Sequence, residues 1–273
     1  MLARTWLVLW VALAGCSSQQ RVTAETFAAA ALIPDDQENA LGEQVHAELG
    51  NQGIRYLQNA TATDYVNGLV EPILAEARKQ RPGVDWHVHV VDEPGKVNAF
   101  ATPGGHIYVL SGLLTVAGSD AEVAGVLAHE AGHVVARHSA RQLVTLYGLQ
   151  TVAALALGNN PELIKQIAAT LATQGVMLAH SRASEREADE HGARIASSAG
   201  YDPHGLLGFL GKLRAKEGRI PQVLTWLSDH PATSDRITHL NAFVDRHNLK
   251  GTRTESGRLA QVREQVGTGQ ARN

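Results

Sequence analysis

Ala128-His129-Glu130-Ala131-Gly132-His133-Val134 is the stretch from which the fold of this chain can be read. Residues four apart on an α-helix share a face, so His129 and His133 can present both imidazoles to one ion. Glu130 sits one step round and can act on a water held by that ion. Upstream, Ser119 with Glu122 three residues later reads as a capping box that starts the helix. Val123, Val126, Leu127 and Val134 give it a buried stripe. The pattern fits a zinc site better than a packed core.

Two later segments extend the reading. Ser181-Arg182-Ala183-Ser184-Glu185-Arg186-Glu187-Ala188-Asp189 is again helix-like and ends at Gly200 after Ala193, Ile195 and Ala196. A catalytic zinc takes three protein ligands and keeps one open position. Glu185 can be the third ligand, with Glu187 the first substitute for it. Asp189, one turn on, can accept the second ring N–H of a ligand histidine. The competing reading is a solvated charged face made by Glu185, Arg186, Glu187 and Glu190. Asp229-His230-Pro231-Ala232-Thr233-Ser234-Asp235-Arg236-Ile237 taken alone is a helix start, capped by Asp or Thr with proline in the first turn.

Together these residues resemble the M48 family of zinc metallopeptidases. That family shows an HExxH helix, a later ExxxD helix carrying the third ligand, and a histidine-proline segment followed by arginine. Here those are His129 to His133, Glu185 to Asp189, and His230-Pro231 to Arg236; the strand region Val97 to Val109 matches as well. The resemblance covers about residues 60 to 245. It implies an α+β, mainly helical fold, a zincin-like (gluzincin) domain with a small β-sheet beside the HExxH helix. It also implies one Zn²⁺ per chain held by His129, His133 and Glu185, with Glu130 as the proton-transferring base. Asn98, Ala99 and Phe100 resemble the edge strand on which such peptidases lay an extended substrate. Arg236 is expected either to bind a carbonyl or carboxylate near the site or to brace Asp229 or Asp235. His230 has three readings: a donor to the tetrahedral oxyanion, a latch that fills the open zinc position, or a structural residue.

The 273 residues can form one large domain or two small ones. Hydrophobic content of 44% and charge of 19% describe an ordinary globular chain. A net charge of −3 with no long basic run excludes a general nucleic-acid binder. Residues 1–15 read as a lipoprotein signal: Arg4, an apolar run from Thr5 to Ala14, then Leu13-Ala14-Gly15-Cys16. Cys16, the only cysteine, is the expected lipidation site and cannot form an internal disulfide. Ser17 after it points to the outer membrane, lipid-anchored and facing the periplasm. Residues 16–34 are expected to be a tether, 35–247 the peptidase domain, and 248–273 a disordered tail.

The spacing of apolar residues predicts helices over 35–49, 64–80, 161–178 and 203–217. Val84, Trp86, Val88 and Val90 predict a strand, with His87 and His89 as its solvent-facing decoration. Asn98 to Leu110, broken by Pro103-Gly104-Gly105, predicts a hairpin or bent edge strand. Leu143 to Leu157 is too short to span a membrane and predicts a buried helix or a cover over the cleft. Three functions fit: a metalloendopeptidase clearing misfolded or misassembled envelope proteins, a chaperone or assembly factor for outer-membrane proteins, and another zinc hydrolase. Partners expected are protein substrates, the membrane through the anchor, and outer-membrane assembly machinery.

Overall fold

A computed structural model of the chain describes residues 32–174, 180–216, 223–231 and 233–267. The signal segment, Cys16 and most of the tether lie outside the described residues. Helix α1 runs Asp35–Asn51. Helix α2 runs Ala60–Gln80, four residues earlier than the sequence predicts, because the Asn59 side chain accepts the Ala62 N–H at 2.9 Å and caps it there. Three strands follow: β1 (His87–Val91), β2 (Ala99–Ala101) and β3 (His106–Leu110). Between β2 and β3 lies one turn of 3₁₀ helix over Pro103–Gly105. Gly104 and Gly105 both sit at positive φ there, and a Cβ on Gly105 would lie 2.7 Å from the Asp85 carbonyl oxygen.

The sheet order is β1-β3-β2, with β1 parallel and β2 antiparallel to the central β3. Strand β2 is therefore an edge, as expected for Ala99 and Phe100. Alternation sorts the side chains. Val88, Val90, Ile107 and Val109 join the core around the HExxH helix, while Val91, Phe100, Tyr108 and Leu110 join a second core beneath α1. His89 departs from the expected decoration. It is half-buried and stacks on His46 of α1 at 4.3 Å, because the second face of this sheet is covered rather than solvated.

After the short α3 (Ser111–Val116) comes α4 (Asp120–Val135), the HExxH helix, with almost every residue buried. Ser119 caps it by accepting the Glu122 N–H at 3.1 Å, and the Glu122 carboxylate accepts the Gly118 N–H at 2.7 Å. The apolar stretch 143–157 forms the end of α5 (His138–Tyr147) and all of α6 (Leu149–Ala156), broken at Gly148 with φ 78°. Leu143, Val152 and Leu155 are buried in the second core with α7 (Pro161–Gln174). No helix among the described residues is long and apolar enough to cross a membrane.

Helix α8 (Arg182–Ser198) crosses α4 at close range. A Cβ on Gly132 would lie 2.5 Å from the Ala188 carbonyl oxygen, and one on Gly192 would lie 2.9 Å from the His129 backbone. Helices α9 (Gly205–Lys216), α10 (Val223–Asp229) and α11 (Ser234–Arg246) complete the shell around α4 and α8. The expected disordered tail after 247 is a correction. Thr252 and Arg253 donate backbone N–H groups to the Gly200 carbonyl oxygen, and α12 (Leu259–Gly267) buries Leu259, Val262 and Val266 in the main core. Those three residues recur at helical spacing in a segment whose polar neighbours hide the pattern.

Candidate active site

Helix α4 presents His129 and His133 on one face, both fully buried, with Nε2 atoms 3.0 Å apart. The close crossing at Gly132 and Gly192 brings the first turns of α8 against them. Glu185 Oε1 lies 3.4 Å from His133 Nε2, and Oε2 lies 3.6 Å from His129 Nε2. A fourth donor arrives from the end of α10: His230 Nδ1 is 3.1 Å from Glu185 Oε1 and 3.3 Å from His129 Nε2. The donor atoms of His129, His133, Glu185 and His230 all lie within 4.8 Å of one another, and all four residues are buried. Two imidazoles and a carboxylate converging at 3.0–3.6 Å suit a tetrahedral zinc ion, whose ligand bonds of about 2.0–2.1 Å set such spacings. Glu130 Oε1 and His230 Nε2 are buried without hydrogen-bond partners and stand 3.6 Å apart beside this cluster. Unpartnered polar atoms in an apolar interior are costly unless a charge or ligand meets them.

Each ligand is held from behind. Asp189 Oδ1 lies 3.0 Å from His129 Nδ1. Arg236 donates Nε–H and Nη2–H to Asp189 at 2.6 and 2.8 Å and places Nη1 2.5 Å from Glu185 Oε2. It thus braces neither Asp229 nor Asp235 but Glu185 and Asp189 of α8. Behind His133 runs a relay that the sequence reading missed. His133 Nδ1 meets His138 Nδ1 at 2.8 Å, His138 Nε2 meets Glu187 at 3.1 Å, and Arg141 donates to both Glu187 oxygens. Read outward from the acceptor Glu187, the relay places a proton on His133 Nδ1 and leaves Nε2 free to bind metal. Arg137, left-handed at φ 59°, turns the chain sharply enough after α4 for His138 to reach back. Glu187, the expected substitute ligand, stands outside the cluster.

His230 lies in the connection between α10 and α11, yet it is held in place. It is fully buried, stacks on Trp226 at 4.3 Å, and precedes a helix capped by Thr233, which accepts the Arg236 N–H at 3.2 Å. Pro231 therefore lies before the cap rather than in the first turn. Asn98 is turned inward. Its Nδ2–H donates to Asp229 Oδ2 at 2.8 Å and its Oδ1 accepts the Ala99 N–H at 3.0 Å, so it braces the segment carrying His230 instead of offering its amide to the cleft. Ala99 is fully buried, while Phe100 lines the cleft with Thr102, Glu130, His133, His180 and His230. His180, also missed, packs its ring against that of His133, centroids 4.1 Å apart and tilted by 31°.

Burial dominates the electrostatics. It pushes the Glu130 carboxyl up to about 8, against the pull of nearby His230. It lowers His129 and drives His133 well below the ordinary imidazole range, keeping both neutral and fit to bind metal. Burial alone would raise Glu185, but the positive charges of His230 and Arg236 outweigh it and hold the carboxyl well below its usual range. Asp229 is pushed up to about 6 by burial, with Asn98 opposing.

Residues 60–244 match the model of peptidase family M48. The chain is 30% identical over 217 residues to a mitochondrial metalloendopeptidase OMA1 of Schizosaccharomyces pombe, covering 79% of this chain and 63% of that protein. It is 27% identical over 219 residues to a beta-barrel assembly-enhancing protease of Yersinia pestis, covering 77% of this chain and 44% of the relative. To an OMA1 of Arabidopsis thaliana it is 39% identical over 155 residues, or 56% of this chain and 30% of that one. The chain thus spans less than two thirds of each of these relatives. The family model matches more than half of the chain, and it contains both the HExxH helix and the helix that brings Glu185 to it. This chain belongs to peptidase family M48, a family of zinc-dependent metallopeptidases.

Proposed function

We propose that the chain is a zinc metalloendopeptidase that cuts misfolded or misassembled proteins of the bacterial cell envelope. The observation that carries this reading is the buried donor cluster with the Glu130 carboxyl beside it. His129, His133 and Glu185 would hold Zn²⁺, which when bound acidifies water and polarises a carbonyl. Glu130 is the group that moves the proton. Ionised beside the dication, it takes one from the attacking water and returns it to the leaving amine. Arg236 fixes Glu185 and Asp189 in one grip, and the His138–Glu187 pair fixes the ring of His133. On the outer edge of β2 the backbone of Ala101 faces away from β3; its carbonyl accepts the Ser139 hydroxyl at 3.1 Å, and its N–H is the group turned toward an extended peptide. The place of His230 Nδ1 among the ligand atoms supports the latch reading, while Glu185 and Glu130, which outweigh burial and raise the basicity of His230, support that of an oxyanion donor.

Envelope substrates and a periplasm-facing location rest on the lipobox ending at Cys16 and on similarity to beta-barrel assembly-enhancing proteases. We accordingly place a signal at 1–15, a tether at 16–34 and the peptidase domain from 35, extended to at least 267 by α12. Outer-membrane assembly machinery is the partner class this reading implies. The experiment is casein cleavage by wild type and Glu130→Gln, with metal content measured alongside. Loss of cleavage at unchanged metal supports the peptidase. If Glu130→Gln suppresses aggregation of unfolded outer-membrane protein as well as wild type does, and wild type cuts nothing, the chaperone reading replaces it. Cys16→Ser should lose fatty-acid label, and equal label in both proteins would refute the anchor.

A further inference from the structure

A second group of imidazoles occupies the α1 face of the sheet, with the HExxH helix on the other face. His87 on β1 is the register partner of His106 on β3, and His89 is that of Tyr108. Helix α1 lays Glu43 and His46, three residues apart, over this pair of strands. Glu43 Oε1 stands 3.4 Å from His106 Nε2 and 3.8 Å from His87 Nε2. The corresponding carboxylate-to-imidazole distances in the active site are 3.4 and 3.6 Å. The same donor chemistry, two imidazoles and one carboxylate, thus recurs at nearly the same spacing.

His106 is the anchor. It is 2% exposed, and its Nε2 is buried with no hydrogen-bond partner, aimed toward Glu43. Its other nitrogen, Nδ1, lies 3.1 Å from His89 Nε2. If Nδ1–H donates to His89, the lone pair of Nε2 faces the carboxylate. That juxtaposition is repulsive unless a cation lies between them, and it is the arrangement ligand histidines adopt when a second group fixes their tautomer. His46 backs His89 and His106 by stacking, but its Nδ1 already meets the hydroxyls of Tyr108 and Tyr56 at 2.9 and 3.2 Å.

We propose that Glu43, His87 and His106 form a second site for a divalent transition metal, Zn²⁺ in the first place, with His89 positioning His106. Glu43 and His87 are 60% and 45% exposed, so water completes the coordination and the site is open to exchange. Such a metal ties α1 to β1 and β3. Helix α1 also packs on the turn before β3, where a Cβ on Gly42 would lie 2.3 Å from the Pro103 carbonyl oxygen, and Pro103 lines the active-site cleft. Occupancy therefore stiffens one wall of that cleft without touching a catalytic group.

The proposal stands apart from the peptidase reading and is tested without turnover. Zn²⁺ is titrated by calorimetry into the full chain carrying one equivalent, with bound metal counted by mass spectrometry and the melting temperature followed. Wild type should bind a second equivalent and melt higher. His87→Ala and Glu43→Gln, both at exposed positions, should bind that equivalent at least tenfold more weakly and lose the thermal shift. Mg²⁺ should give neither binding nor shift, since these donors suit softer ions. A wild type that takes up only one zinc overturns the proposal, as does a His87→Ala, Glu43→Gln double variant that keeps the second.

Discussion

Glu130 shows how much one buried carboxyl can report. Without metal it is protonated at pH 7, because burial lifts it to about 8. A dication arriving nearby favours the charged form, so zinc uptake at pH 7 should expel that proton. Calorimetry in buffers of different ionisation enthalpy should find about one fewer proton released by Glu130→Gln. The same shift has a stability sign. Between the ordinary carboxyl value of 4.5 and about 8 the unfolded chain gives up its proton and the folded one does not. This group's contribution therefore falls as pH rises through that window, and the difference between wild type and Glu130→Gln melts from pH 5 to 8 should show it. At the back of the site, His138→Ala or Glu187→Gln should lower metal affinity or activity by about 10–100-fold, as loss of an orienting partner does. Equilibrium dialysis against a zinc chelator measures it, and unchanged affinity would leave the relay without a role. Most of this chemistry was legible in the sequence, since His129, Glu130, His133, Glu185 and Asp189 follow helical spacing. His138 and His180 were not, because a left-handed turn and a ring contact between residues far apart in sequence leave no periodic mark.

Among the elements, the contact of α4 with α8 decides whether there is a metal site at all. Glycines at 132 and 192 let the backbones approach until a methyl group has no room. Gly192→Ala should push α8 outward, separate Glu185 from the two histidines, and cost both metal and activity, while Gly211→Ala, with nothing near it, should change neither. Metal content after dialysis distinguishes them. The sequence predicted helices here but could not predict how tightly they cross, since two lone glycines in helical runs look only unfavourable. The strands were harder. Val84 and Trp86 alternate as a strand should, yet pairing begins at His87, where β3 supplies a partner. Which face of β1 was covered depended on α1, more than thirty residues upstream, and so His89 was misplaced outward.

At the scale of the whole molecule, two cores meet across one small sheet, and the chain returns through α12 to close the first of them. Val262 and Val266 lie in that core, so ending the chain after Asn248 should destabilise the fold by a few kcal/mol, on the scale of losing several buried aliphatic side chains. Chemical denaturation of the shortened chain checks this, and an unchanged midpoint would return the segment to the status of a tail. Polar residues around three apolar ones concealed the helix, whereas the long apolar run at 143–157 announced its burial openly.

Arg236 grips Asp189 and Glu185 together, and its helix lies more than a hundred residues beyond His133. A chain is made from its N-terminus, so the histidines of α4 emerge long before the carboxylates that complete their ion cage and the guanidinium that locks it. A ribosome that has delivered α4 has therefore made two imidazoles without their cage. The cage closes only once Arg236 has been added.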